Sequence, residues 1–266
     1  MTALLRTAKL LLLVLTLAAA SGCATLPADA TAVQKIDPFE NWNRKVFSFN
    51  DALDEAILKP VATFYVDVVP QLVRTGVSNF FANFADVRTA VNNLLQGKIE
   101  EAFDDGVRVG VNSTLGLLGI FDVASEMGID RHFEDFGQTL GVWGFDTGAY
   151  LVWPLLGSST VRDSLALPFD YLISPAYLIN DASSKWLIWG LQLVNTRAGL
   201  LGASRLIDEI ALDKYTFVRD AFLQRRRSLV FDGDEPPPKE GDAPPPENEP
   251  SSEPKAPASP ASQPLP

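Results

Sequence analysis

Cysteine and histidine each occur once in the 266-residue chain, at Cys23 and His132. A single cysteine excludes an internal disulfide. With one histidine, a metal site would rest on carboxylates, and the pairs Asp104-Asp105 and Glu134-Asp135 are adjacent residues that do not share a helix face. Glu100-Glu101 is most simply a solvated face. No Gly-x-x-x-x-Gly-Lys-Ser/Thr and no dinucleotide fingerprint is present, so neither ATP nor a nicotinamide cofactor has a cradle. The Gly157-Ser158-Ser159-Thr160 run lacks the second glycine of a nucleophile elbow and a clear strand before it. His132 sits in the charged segment "IDRHFED", read as solvated and without a serine partner, so no catalytic residue, metal or cofactor is expected. Positive charge is short as well. The formal net charge is −11, which argues against nucleic-acid binding.

The N-terminus is the most readable part of what is present. Arg6 and Lys9 precede an apolar run from Leu10 to Ala20, of secretory length and too short to span a bilayer. It ends in Ala20-Ser21-Gly22-Cys23, which resembles a lipoprotein processing site, with Ala20 where leucine is usual. Cys23 is then the acylated residue, and multiple acyl chains make a durable anchor. The alternative is an ordinary secretory signal with a chance cysteine. Ala24 is not aspartate, so the inner-membrane retention signal of such lipoproteins is missing and an outer-membrane address is implied.

Four segments follow: a signal peptide at 1–22, a lipidated N-terminus and linker at 23–35, a body at 36–231, and a tail at 232–266. The tail is rich in proline and acids and almost free of apolar side chains. It cannot bury enough surface to offset ordering entropy, so it is expected to be disordered. It reads as a solvating tail or a docking arm.

The body reads as many short helices. Asp37-Pro38 caps the first, in which Phe39, Trp42, Val46, Phe49, Leu53 and Ile57 recur at spacings of three and four. Phe47 widens that arc, which suits either a core helix or one touching both protein and lipid. Lys59-Pro60 is expected to end it. "VRTGVSNFFANFADVRTAVNNLLQGK" reads as two short helices ending at Gly97. "IEEAFDDGVRVGVNST" reads as another, its Gly106 and Gly110 allowing close backbone approach. An extended piece is expected at 149–153. The last helix is expected from about Arg197 to Leu229, with Arg225-Arg226-Arg227 serving its negative terminus or lipid headgroups. The glycine-aromatic stretch 134–164 places Gly137, Gly141 and Gly144 at close-approach or turn positions, with Ser158-Ser159-Thr160 capping the next helix. Trp143, Phe145, Tyr150 and Trp153 between them are interfacial anchors or core residues.

Taken in order, several pieces resemble the MlaA (VacJ) family of lipoproteins. They are Asp37-Pro38-Phe39-Glu40 with Asn43-Arg44 and Phe49-Asn50, Lys59-Pro60-Val61-Ala62, Val69-Pro70, "VRTGVSNFFANF", "NNLLQGK", "NSTLGLLGIFDVA", "EDFGQTLGVWG" and "GAYLVWPLLGSSTVRD". The resemblance covers nearly all of the body and excludes the tail. It implies a mostly α fold, a single ring-like domain of amphipathic helices lying in the membrane plane around a central channel. It also implies a non-enzymatic role: removing phospholipid misplaced in the outer leaflet of the Gram-negative outer membrane and passing it to a periplasmic carrier, MlaC. That carrier serves an ATP-driven ABC-type complex of the inner membrane, and family members associate with a trimeric porin. Phe39, Trp42, Val46, Phe49 and Leu53, with Trp143, Phe145, Tyr150 and Trp153, are the candidate channel or membrane-contact residues. The physics agrees: taking a diacyl lipid into water exposes about thirty methylenes, over 20 kcal/mol at about 0.8 kcal/mol each. A shielded path lowers that barrier without a catalytic group. The rival readings are a lipid-modifying hydrolase or acyltransferase and a purely structural lipoprotein.

Overall fold

Helices account for most of the computed structural model, which describes residues 36–174, 177 and 179–235. The expected signal peptide, Cys23, the linker to Lys35 and the proline-rich segment from Pro236 lie outside the described residues. Those described all fall within the first of two compact units, Met1–Glu235.

The first helix, α1 (Glu40–Leu53), does not stop at Lys59-Pro60 as expected. It runs through a π-helical turn, Asp54–Leu58, into α2 (Lys59–Val68). In that turn Lys59 N–H bonds to the carbonyl of Asp54, five residues back. The wider register makes room for Pro60, whose ring would clash with a carbonyl four residues back and which has no N–H to offer. Asp37 is not the helix cap. The cap position is Phe39, without a side-chain bond, and the buried Asp37 carboxylate accepts instead from Asn43 at 2.8 Å and from the Tyr215 hydroxyl.

Helix α3 (Gln71–Gln96) is one helix of 26 residues, where the sequence suggested two. It ends at Gly97 as expected, in the left-handed region at φ 82°. The Lys98 and Gly97 amides bond back to Asn93 and Leu94, satisfying terminal carbonyls. Helix α4 (Ile99–Thr114) returns along α3 and matches its expected limits. The apolar loop after it leads to a single turn, α5 (Val123–Glu126), capped by Asp122.

After α6 (Phe136–Val142) comes a two-stranded antiparallel sheet, β1 (Tyr150–Trp153) and β2 (Gly157–Thr160), with Tyr150 opposite Thr160 and Trp153 opposite Gly157. The sequence located β1 but not β2. Thr160 then caps α7 (Val161–Leu172), accepting from the Asp163 amide at 3.1 Å. Of the expected cap residues, Ser158 and Ser159 belong to β2.

The expected final helix is two. Helix α8 (Ala182–Ile210) absorbs the apolar "KWLIWGLQLV" run and spans 29 residues. Helix α9 (Lys214–Val230) restarts after a break capped by Asp213, which accepts from the Tyr215 and Thr216 amides. The body therefore mixes two long helices with several short ones.

Candidate functional site

Burial in this chain runs against the usual order. Among the described residues, eighteen polar or charged side chains are buried against ten hydrophobic ones, and large apolar side chains are exposed on most helices. Water-soluble proteins hide the second class and expose the first, and exposed apolar surface on this scale marks an interaction surface. Among the described residues, no helix is long and apolar enough to cross a membrane.

The α3–α4 pair is the clearest case. Asp86 and Asn93 on α3 and Asp105, Arg108 and Asn112 on α4 are essentially free of solvent. Arg108 bonds to Asp122 at 2.9 Å, to Asp86 at 3.4 Å and to the Ile129 carbonyl. Arg131 reaches both carboxylate oxygens of Asp86, at 3.0 and 3.1 Å. Asn112 links Asp122 at 2.9 Å to the Ala124 amide, also at 2.9 Å. Buried charges are tolerable only when paired and hydrogen-bonded, and these are. The opposite face carries exposed Val91, Leu94, Ile99 and Phe103 around a groove of about 360 Å³ with no polar residue in its lining. Gly106 and Gly110 have open space at their Cβ positions, so no backbone packs against them; that expectation is corrected.

His132 does have a partner. Its Nδ1 lies 3.3 Å from Asp105, which also accepts from Asn93 at 2.8 Å. No serine or threonine hydroxyl bonds to the imidazole among the described residues, so the pair carries no nucleophile. It helps close the polar interior of α3–α4.

The sequence-predicted contact residues divide. Phe39, Trp42 and Phe49 are exposed on α1, Trp42 to 61%, and Leu53 is half-buried. Trp143, Phe145 and Trp153 are exposed too, with both indole N–H groups held, Trp143 by the Leu95 carbonyl at 3.1 Å and Trp153 by Ser164 at 2.8 Å. Val46 and Tyr150 are buried instead. They form an apolar cluster with Val152 and Tyr215, flanked by Phe47 and Phe222. Phe47 packs edge-on to Tyr215 at 5.6 Å, so it widens the stripe toward the core.

Two asparagines tie α1 to the sheet. Asn43 donates to the Tyr150 carbonyl at 3.0 Å and accepts from the Val152 amide at 2.9 Å. Asn50, two turns on, donates to the Trp153 carbonyl and accepts from the Leu155 amide, each at 2.9 Å. Each side-chain amide thus acts as a piece of a third strand along β1, satisfying an edge that would otherwise stay open. The two asparagines and the extended piece at 149–153 were each visible in the sequence; their pairing was not.

Beside this clamp lies a groove of about 400 Å³ between α1, β2, α8 and α9. Its lining mixes the apolar Phe47, Leu200, Ile207 and Val218 with the charged Asp51, Asp54, Arg197 and Lys214. Arg197 donates to both oxygens of Asp54 at 2.7 Å, and Lys214 sits 2.6 Å from Asp51 and 2.8 Å from Asp208. None of these ion pairs was legible beforehand.

The glycine-aromatic stretch is explained by close approach. Asp135 caps α6 through the Gln138 amide and pairs with Arg226, which also bonds Asp163 at 2.8 Å. A Cβ at Gly137 would stand 2.5 Å from Asp163 and 2.7 Å from Arg226. One at Gly141 would stand 2.7 Å from Arg162 and 2.9 Å from Val230. Gly144 and Gly148 turn the chain at φ 92° and 68°. Burial opposes ionisation of Asp135, but the Arg226 guanidinium outweighs it and holds the carboxyl down to about 2. Of the three consecutive arginines, Arg226 is therefore a structural ion-pair residue, and Arg227 lies 3.4 Å from Glu235.

Comparison with known proteins gives one consistent result. A family model described as MlaA lipoprotein matches residues 35–229. The intermembrane phospholipid transport system lipoprotein MlaA of Escherichia coli (strain K12) is 35% identical over 227 residues, 82% of this chain and 87% of that protein. An uncharacterized protein of Rickettsia bellii is 33% identical, over 73% of this chain and 76% of its own. A solved structure described as "Structural basis for maintenance of bacterial outer membrane lipid asymmetry" matches with a TM-score of 0.64 at 34% identity, covering 73% of this chain and 98% of that one.

Proposed function

The chain belongs to the MlaA lipoprotein family, and from that premise we propose that it is the outer-membrane component of an intermembrane phospholipid transport system. In this role it removes phospholipid misplaced in the outer leaflet and delivers it to the periplasmic carrier MlaC, which serves an ABC-type complex of the inner membrane. Acylation of Cys23 anchors the chain on the periplasmic side of the outer membrane, and a trimeric porin is its neighbour there. The body lies in the inner leaflet around an amphipathic path, without catalysing a reaction.

The observation that carries this proposal is the reversed burial. Polar side chains fill the contact between α3 and α4 while Val91, Leu94, Ile99 and Phe103 point outward. Lipid tails are as apolar as leucine, so helices in lipid gain little by hiding apolar faces from it. They gain by satisfying polar groups against one another. Since no described helix can span a bilayer, an apolar exterior of this extent fits amphipathic helices lying along one leaflet. The α1–α8–α9 groove, lined by apolar and ionic side chains together, supplies the amphipathic surface a phospholipid needs.

The test is reconstitution of the full chain in vesicles carrying labelled phospholipid, followed by addition of the periplasmic carrier. Label should leave the membrane with the carrier only when the protein is present. Carrier loading at the rate of protein-free vesicles would overturn the proposal.

A further inference from the structure

The four charges that line the α1–α8–α9 groove cancel, but the ion-pair network they belong to, which extends to Asp208 beside it, does not. Arg197 is matched one to one by Asp54. Lys214 is shared between Asp51 and Asp208, so three carboxylates face two cations. Lys59 approaches Asp208 only to 3.8 Å and is itself held by Glu55 at 2.7 Å, which adds a neutral pair and leaves the excess of one negative charge in place. The side chains of Asp51, Lys214 and Asp208 are each about one-third open to solvent, so the pairs are accessible to an incoming headgroup.

A phosphodiester that binds Arg197 or Lys214 competes with the carboxylates already paired with that cation. Guanidinium and ammonium groups accept phosphate in place of carboxylate with little geometric change. The displaced carboxylate then needs another cation. A zwitterionic headgroup brings one, its ammonium, within the same ligand. A headgroup with a net negative charge brings none and adds its charge to a network already in excess.

Building on the proposed lipid path, we infer that this groove selects phospholipids with an ammonium in the headgroup over phospholipids of net negative charge. Lys214 and Arg197 receive the phosphate, and Asp51, Asp208 and Asp54 receive the ammonium. The apolar lining residues Phe47, Leu200 and Ile207 carry the first part of the acyl chains.

The experiment uses the full chain in vesicles containing equal amounts of phosphatidylethanolamine and phosphatidylglycerol with identical acyl chains. The protein is isolated, and its retained lipid is quantified by mass spectrometry. Phosphatidylethanolamine should be enriched about fivefold, the equivalent of about 1 kcal/mol. In Asp51→Asn and in Asp208→Asn the ratio should fall toward one. For the unaltered protein, about 0.5 M salt should lower it in the same direction, a measurement that needs no variant to fold. Equal retention of the two lipids by the unaltered protein overturns the inference and leaves the lipid path intact. So does an enrichment that neither substitution nor salt reduces. Retention of neither lipid overturns the proposed path itself, and the selectivity with it.

Discussion

Two regions of one chain are packed by opposite rules. Between α3 and α4 the contact is made of Asp86, Asn93, Asp105, Arg108 and Asn112, and the apolar side chains face away. Where α1 and α9 meet the sheet, the contact is apolar: Val46, Tyr150, Val152 and Tyr215 are buried together. The second region follows the rule for a core surrounded by water, in which apolar burial drives association. The first follows the rule for helices whose surroundings are already apolar, where pairing polar groups is the remaining gain. The second region nevertheless holds buried charge beside its apolar cluster. Asp37 receives the Tyr215 hydroxyl and lies 3.4 Å from Arg219, while Arg44 stacks 4.4 Å over the Tyr215 ring.

The largest predicted effect lies in the polar region. Asp86→Ala leaves the fully buried Arg108 with a weaker set of partners and Arg131 without its closest one. Breaking a buried pair from one side costs about 3–5 kcal/mol. Thermal unfolding in detergent should show a loss of that size. In the apolar region, Val152→Ala removes two methyl groups from a site that is 3% exposed and should cost about 2 kcal/mol by the same assay. Were Val152→Ala the more damaging of the two, the division between the regions would fail.

Next comes acid. The Asp135–Arg226–Asp163 cluster joins α6, α7 and α9, and the guanidinium keeps the Asp135 carboxyl at about 2, below its ordinary 3.8. A carboxyl lowered in the folded state contributes stability that is complete above its ordinary pKa and is lost as pH falls through about 4 to 2. That loss is about 2 kcal/mol. Burial raises Glu134 and Asp170, so those two groups act in the opposite direction as they protonate. Asp135→Asn keeps an acceptor for the α6 cap but not the charge. The variant should be less stable at neutral pH, and its stability should fall less between pH 4 and 2, as read from denaturant midpoints across that range.

Much of the helical layout was legible because local chemistry sets it. Gly97 had to stop α3, since a left-handed residue was needed there, and Thr160 had to cap α7. Pro60 misled because a π turn, which leaves no mark in residue type, accommodated it. The candidate contact residues divided for a deeper reason. A period of 3.6 identifies a face of a helix but not what the face meets. On α1 the same stripe sends Val46 into the core and Phe39, Trp42 and Phe49 outward. Polar residues such as Asn93 and Asp105 read as solvated by default, and only the return of α4 along α3 brings them together. Ion pairs such as Arg197–Asp54 join residues 143 positions apart, beyond the reach of any local pattern.

The smallest predicted effect on folding is the most direct probe of what surrounds the polar region. Phe103 is 70% exposed on the outer face of α4, beside the all-apolar groove. If that face met water, Phe103→Gln would change stability by less than about 0.5 kcal/mol and alter nothing else. If it meets acyl chains, stability is again nearly unchanged, because the folded contacts of Phe103 are few. Transfer of the phenyl group out of lipid then weakens membrane partitioning by about 1.5–3 kcal/mol. The two expectations separate in one comparison: vesicle flotation of Phe103→Gln against its unfolding midpoint, both in a Cys23→Ser background so that an acyl anchor does not mask the loss. A drop in flotation of about tenfold or more with an unmoved midpoint places lipid against α4. Unchanged flotation would mean that the polar contact between α3 and α4 exists for some reason other than an apolar surrounding.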